Sequence, residues 1–144
     1  MNKQQKAGFS LVEVLVALVI IAIMGAVVAL NLGGATDDAK INATQTEIKT
    51  IATAITLFKS QQGFLPTQTQ GLEALVREPT TEPKPKRYPV GGYLQTVEVP
   101  KDAWDNPYIY LIPGRENQPF EIISYGADGL EGGEGVNADL SNLY

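Results

Sequence analysis

Residues 8–30 read GFSLVEVLVALVIIAIMGAVVAL, and the architecture of the whole chain turns on this stretch. From Phe9 to Leu30 the 22 residues carry one charge, that of Glu13. At 1.5 Å per residue such a run builds about 33 Å of helix, enough to cross a bilayer. A lone carboxylate near the centre of that helix costs roughly 2.5–3.5 kcal/mol on insertion scales. Glu13 lies about one turn in from the start, where the cost is lower, yet a carboxylate in an apolar zone still needs a partner.

The preceding residues 1–8, MNKQQKAG, are polar and basic through Lys3 and Lys6. Positive flanks stay cytoplasmic, so the remainder of the chain is expected on the far side of the membrane. A secretory signal is one reading of the segment. The run exceeds an apolar core of about 7–15 residues, and Ala35-Thr36-Asp37-Asp38 is a poor cleavage site. A plain single-pass anchor explains the length but neither Glu13 nor the Gly8-Phe9 step. Ala17, Ala22, Gly25, Ala26 and Ala29 allow close helix approach, and aliphatic side chains cover every other side. Gly25, Gly33 and Gly34 each weaken a helix interior by about 1 kcal/mol relative to alanine. A bend or local melting is expected near Gly25 or Gly33–Gly34.

The chain of 144 residues suits one small domain plus an anchor, with no internal repeat. It has no cysteine and no histidine. Disulfides, thiolate chemistry and the commonest general base and metal ligand are thereby excluded. The net charge of −5, from 11 basic and 16 acidic residues, argues against nucleic acid as a partner.

From Asp37 to Gln62 the apolar Ile41, Ile48, Ile51, Ala52, Ile55 and Phe58 recur at helical spacing, opposite Lys40, Gln45, Glu47, Lys49 and Thr56. With Gly63 as a stop, one helix from about Ser10 to Gln62 is predicted, apolar all round in its first half and amphipathic in its second. The stripe needs a cover, and a small C-terminal sheet supplies it most simply. Tyr108–Ile112 and Phe120–Ser124 read as a hairpin joined by Pro113–Gln118. Thr69–Val76 reads as a short helix. Pro79–Pro89, with four prolines and Lys84, Lys86 and Arg87, reads as an exposed loop, solvated or else touching an acidic partner. The predicted class is α+β: a long N-terminal helix packed on a small antiparallel sheet with extended loops.

Residues 125–142, YGADGLEGGEGVNADLSN, hold five glycines and four carboxylates. Oxygen donors on a glycine-bent loop suit Ca²⁺, although the spacing is not that of an EF-hand. Composition alone leaves a flexible acidic turn equally open.

The motif Lys6-Ala7-Gly8-Phe9-Ser10-Leu11-Val12-Glu13 resembles the prepilin motif of type IV pilins and type II secretion pseudopilins. The resemblance implies that a prepilin peptidase cuts after Gly8 and that Phe9 is then N-methylated. It also implies that Glu13 neutralises the new ammonium at Phe9 of a neighbouring subunit. Pairing within one chain, at i and i+4, is the other arrangement. Further on, Leu65-Pro66-Thr67, Gln70-Gly71-Leu72-Glu73-Ala74-Leu75, Gly91-Gly92-Tyr93-Leu94, the run from Pro100 to Tyr108 and Ser124-Tyr125-Gly126-Ala127-Asp128-Gly129 follow in order. Together they resemble the major pseudopilins of type II secretion, from Gly8 to Asn142. Asp105, where a glycine is commoner, and Leu143, where an aromatic is commoner, are mild departures.

This resemblance implies a pilin-like fold with a cleaved leader (1–8), a transmembrane and assembly helix (9–32) and a periplasmic domain (33–144). It implies a non-enzymatic subunit that polymerises through its N-terminal helix into a pseudopilus driving exoprotein export. The partners implied are further copies, minor pseudopilins, the prepilin peptidase and the inner-membrane assembly platform. The resemblance also implies a separate cytoplasmic ATPase as the source of power; the chain has no phosphate-binding loop of its own. A structural Ca²⁺ is implied, held by the side chains of Asp128 and Asp139 and by carbonyls of Tyr125, Leu130 and a residue of the Gly133–Asn137 stretch, with Asn137 the candidate there. Glu131 and Glu134 are less secure as ligands. A type IV pilin of an adhesion or motility filament is the main alternative; a minor tip pseudopilin and a membrane-anchored enzyme are the others.

Overall fold

The computed structural model describes residues 9–24, 26 and 36–144. The leader with Gly8, and the bend expected at Gly25 or Gly33–Gly34, lie outside the described residues. Helix α1 spans Leu11–Gln62, as the unbroken pattern predicts. The chain divides into two compact units, one up to Asp37 and one from Asp38 to Tyr144.

In the first unit the side chains of α1 are exposed from Leu11 to Met24. Among the described residues no helix is long and apolar enough to cross a membrane. The span expected over Phe9–Leu30 includes residue 25 and residues 27–30, which lie outside that description.

The second unit has its own core. Ile48, Ile51, Ile55 and Phe58 of α1 are wholly buried and share a cluster with Leu72, Leu75, Tyr108, Tyr110 and Ile122. Phe64 stands edge-on to Phe58 at 5.5 Å, and Tyr93 lies 5.1 Å from it. Removing this apolar surface from water is the main term holding the unit together. Two predicted stripe members, Ile41 and Ala52, are only half-buried, while Thr44 and Ala54 are buried instead. Gln45, expected on the solvent face, donates to the carbonyls of Ser141 (3.0 Å) and Tyr144 (3.1 Å). The packed face is thus wider than the apolar stripe, because the C-terminus also docks against α1.

The sheet has strands β1 (Ile109–Leu111), β2 (Glu121–Ser124) and β3 (Leu140–Ser141) in the order β1-β2-β3. Both pairings are antiparallel. The predicted hairpin is present with Ile109 opposite Ile123. The third strand was not predicted: two residues after a glycine-rich loop give no period to read. All four residues of β2 are buried, as befits a strand covered on both faces. The free edge of β1 is occupied by a side chain. Gln68 donates to the Tyr110 carbonyl (2.7 Å) and accepts from the Ile112 amide (3.1 Å), as a neighbouring strand would.

The helix expected over Thr69–Val76 contracts to a 3-10 turn at Leu72–Leu75. Gly71, with φ of 58°, separates it from a turn in which Thr67 and Gln70 exchange side-chain to backbone bonds. Gly92 is required as glycine. Its φ is +74°, and a Cβ there would lie 2.6 Å from the Leu75 carbonyl, which accepts from Tyr93 at 2.6 Å.

Candidate functional site

Two regions carry the predicted functional residues. The first is the start of α1. Phe9 precedes the helix and is 83% exposed. The Val14 amide closes the first turn on the Ser10 carbonyl at 3.2 Å, and Glu13 lies in that turn. A carboxylate there complements the positive end of the helix dipole. Phe9 and Glu13 line one surface hollow with Val14, Ala17 and Leu18. Leu11, Val12, Leu15, Val16, Leu18, Val19, Ile20, Ile21, Ile23 and Met24 are all exposed large apolar residues. A carboxylate set in such a surface, beside an unburied aromatic, is built to be covered rather than to face water.

The second region is the loop between β2 and β3, and its foundation is Asp102. That residue is 5% exposed. Its Oδ1 accepts from the amides of Trp104 (3.0 Å) and Asn106 (2.9 Å), and its Oδ2 takes the Ser124 hydroxyl at 2.5 Å. The Ser124 Oγ in turn accepts from the Gly126 amide at 3.2 Å, and Asn106 donates to the Gly126 carbonyl at 2.8 Å. The Ala103 amide donates to Thr44 of α1 at 3.2 Å, fixing the assembly to the helix. Asp102 and Asn106 lie in the Pro100–Tyr108 run and Ser124 opens the motif that ends at Gly129. Short polar residues around Trp104 and Pro107 were the available sign of a turn held by side chains.

On that foundation the loop folds back on itself. The Ala127 amide donates to the Val136 carbonyl at 2.9 Å. Gly126 and Gly133 have positive φ, and a Cβ would meet Val136 O at 2.6 Å and Asn137 O at 2.5 Å. Of the predicted ligands, Asp128 accepts from the Leu130 amide (3.0 Å) and Asp139 from the Gly132 amide (2.9 Å). Both carboxylates therefore hold the same turn, around Leu130. Asn137 closes a 3-10 turn by donating to the Glu134 carbonyl at 3.1 Å, and Tyr125 leaves β2 half-buried. Glu131 and Glu134 are exposed.

Among the described residues no three His, Cys, Asp or Glu side chains gather into a metal site. The predicted donors, two carboxylates and three carbonyls, are all oxygen and lie on a backbone bent by left-handed glycines. That chemistry fits a hard cation such as Ca²⁺, which accepts backbone carbonyls as readily as carboxylates.

A third feature went unread in the sequence. Glu121, in the middle of the sheet, is 0% exposed and paired with Arg115 at 2.7 Å. It also accepts from the Arg115 amide (3.0 Å) and the Ser141 hydroxyl (2.9 Å), joining the β1–β2 turn to β3. The hydrogen-bonded Arg115 guanidinium holds its carboxyl down at about 2, against the opposing effect of burial. Burial pushes the phenols of Tyr88 and Tyr110 up to about 12. It raises Tyr108 as well, with Glu47 and Asp102 adding to the effect. The buried Tyr108 hydroxyl has no partner among the described residues.

Matches to known proteins run along the chain from residue 3 to residue 143. Residues 31–143 match the family "Type II secretion system (T2SS), protein G", and residues 3–29 match the prokaryotic N-terminal methylation motif. The chain is 42% identical over 142 residues to the type II secretion system core protein G of Pseudomonas aeruginosa, covering 99% of this chain and 98% of that protein. It is likewise 42% identical over 143 residues to the Vibrio cholerae core protein G, covering 99% and 95%. Among solved structures it resembles the crystal structure of the major pseudopilin from the type 2 secretion system of enterohaemorrhagic Escherichia coli. The TM-score is 0.63 at 31% identity, over 78% of this chain and 93% of that one.

Proposed function

The chain belongs to the type II secretion system protein G family, and on that premise we propose how this major pseudopilin is anchored, joined and braced. It is a structural subunit and not an enzyme, and it assembles with other components of the secretion system. Nothing in the comparisons favours a pilin of an adhesion or motility filament.

In the arrangement we propose, Lys3 and Lys6 stay on the cytoplasmic side and the segment after Phe9 sits in the inner membrane. The domain beyond residue 33 is then periplasmic. The prepilin peptidase removes residues 1–8, and Phe9 receives the methyl group. Copies leave the bilayer through an assembly platform, with minor pseudopilins as companions, and pack their N-terminal helices into the core of the filament. The observation that carries this reading is the exposed apolar surface of α1 from Phe9 to Met24, with Glu13 as its one charge. Lipid covers that surface before assembly and neighbouring helices cover it afterwards. The ammonium freed at Phe9 of one copy then pairs with Glu13 of another and fixes the axial register.

Ca²⁺, when bound, supplies a fixed positive centre that oxygen donors can share. Asp128 and Asp139, with carbonyls of Tyr125, Leu130 and Asn137, would hold it. The role is structural: a glycine-rich loop gains folding free energy from the ion.

Glu13→Ala tests the joining step. Membrane fractionation should show the precursor inserted and cleaved as in the wild type. Pelletable filaments should fall by at least about tenfold, the effect of losing roughly 1.4 kcal/mol per contact. Filaments at the wild-type level would remove Glu13 from the assembly mechanism.

A further inference from the structure

Two oppositely charged loops are tied to α1 at different levels of the globular unit. The first is the Pro79–Pro89 loop, which the structure holds far more firmly than its composition suggests. Gln70, itself buried, donates to the carbonyls of Thr81 (2.9 Å) and Pro83 (3.0 Å). Gln62, also buried, accepts from the Lys86 amide (3.0 Å) and donates to the Arg87 carbonyl (2.9 Å). Pro85 is buried between these anchors, and Tyr88 donates to the Ala74 carbonyl at 3.0 Å. The loop thus presents Lys84, Lys86 and Arg87 outward, all exposed. None of the three takes part in an ion pair among the described residues, where Arg115–Glu121 is the salt bridge present. Of the acids on the same loop, Glu82 accepts from the Lys84 amide at 3.1 Å, and Glu78 lies at its start.

The second is the acidic loop. Asp128 and Asp139 are turned to its own amides, which leaves Glu131 and Glu134 exposed. The basic loop is tied to Gln62, at the last residue of α1. The acidic loop ends in β3, whose Ser141 carbonyl accepts from Gln45, and it is rooted on the Asp102 turn, whose Ala103 amide donates to Thr44. Along α1 these levels are about 25 Å apart at 1.5 Å per residue. The two loops are therefore tied to α1 at well-separated levels, the basic one at Gln62 and the acidic one at Thr44 and Gln45.

Unlike charges at well-separated levels make a head-to-tail contact, the kind that propagates without closing. A chain with net charge −5 would otherwise repel its own copies. We propose that Lys84, Lys86 and Arg87 of one copy dock on Glu131 and Glu134 of the next copy along the filament. This contact rests on the pseudopilin reading and adds to it a second register device, outside the helical core. It is exposed, so it is weakened by salt.

The test uses the full chain in cells carrying the secretion apparatus. The natural sequence has no cysteine, so background cross-linking is absent. Lys86→Cys and Glu131→Cys together, oxidised after filament assembly, should give a ladder of covalent oligomers, and either change alone should give monomers. Separately, the double variant Lys84→Glu, Lys86→Glu should lower filament yield about tenfold, the loss expected when two exposed pairs turn repulsive. Adding Glu131→Lys and Glu134→Lys should restore most of it. Monomers only from the cysteine pair while filaments form would overturn the contact, as would a charge reversal that is harmless or not rescued. Absence of filaments from the wild-type chain would overturn the pseudopilin reading itself and the contact with it.

Discussion

Replacing Glu121 with glutamine tests the Arg115–Glu121 salt bridge of the globular unit. The wild-type carboxyl is held down from 4.5 to about 2 by the hydrogen-bonded Arg115. At about 1.4 kcal/mol per pKa unit, that shift corresponds to at most ~3.5 kcal/mol of stability at neutral pH. Arg115 is 40% exposed, so solvent screening lowers the expected loss to ~2 kcal/mol. Glutamine keeps the shape but has one acceptor oxygen: with that oxygen toward the Arg115 amide, its NH2 faces the Ser141 hydroxyl, which can accept from it. What it removes is the charge and one acceptor. For a domain of this size the melting temperature should fall by roughly 10 °C at pH 7. The sign of the pH dependence follows from the depressed folded-state pKa. The contribution is fully present above the unfolded value of 4.5 and is lost as pH falls towards 2. Thermal unfolding of residues 38–144, the compact unit with its own core, should therefore show a gap between wild type and Glu121→Gln. That gap should be wide at pH 7 and should close steadily below pH 4.5. A gap smaller than about 2 °C at pH 7, or one that is the same at pH 2.5, would refute the argument.

Other changes test the remaining devices. Gly92→Ala places a Cβ 2.6 Å from the Leu75 carbonyl at a φ of +74°, and should lower stability in urea by about 1–3 kcal/mol. Gln62→Ala should leave the core standing but free the basic loop: hydrogen exchange at the Lys86 amide should quicken by about tenfold or more, with only a small drop in global stability. Melting of residues 38–144 in calcium against a chelator should show a gain that grows with ion concentration, about 2.7 kcal/mol at a hundred times the dissociation constant. Asp128→Ala should abolish that gain. Identical curves in calcium and chelator would return the loop to a solvated acidic turn.

The long helix was legible because its signals are local and repeated. Ile48, Ile51, Ile55 and Phe58 recur at spacings of three and four, and Gly63 follows Gln62. The β1–β2 hairpin was legible for the same reason. The short strand β3 and the Glu121–Arg115 pair were not. Leu140 and Ser141 look like loop residues until Asn142 and Glu121 hold them, with the Ile122 amide donating to Asn142 at 2.7 Å. Glu121 breaks the apolar pattern of a buried strand, and only the partner six residues earlier explains it. In the candidate site, Asp128 and Asp139 were named for their oxygens, and in the structure they accept from the Leu130 and Gly132 amides of their own loop. The Asp102 foundation beneath them is a long-range assembly whose donors are mostly backbone amides, and backbone amides leave no mark on a sequence.

Much of the globular unit is held by side chains standing in for secondary structure. Its strands have only three, four and two residues. Gln62 and Gln70 clamp the basic loop, Gln68 occupies the edge of β1, and Asp102 with Asn106 roots the acidic loop. Each of these bonds is worth only about 0.5–1.5 kcal/mol net, far less than the buried helix face contributes. A filament subunit gains from that division. The apolar face of α1 between Ile48 and Phe58 sets whether the unit folds. The amide clamps set where its charged loops point, and those loops can change in charge without disturbing the core. Substitutions at Lys84, Lys86, Glu131 or Glu134 should therefore alter assembly while leaving the melting temperature of the isolated unit within a few degrees. Substitutions at Phe58 should do the reverse, costing about 3–5 kcal/mol of fold stability whatever the state of the filament.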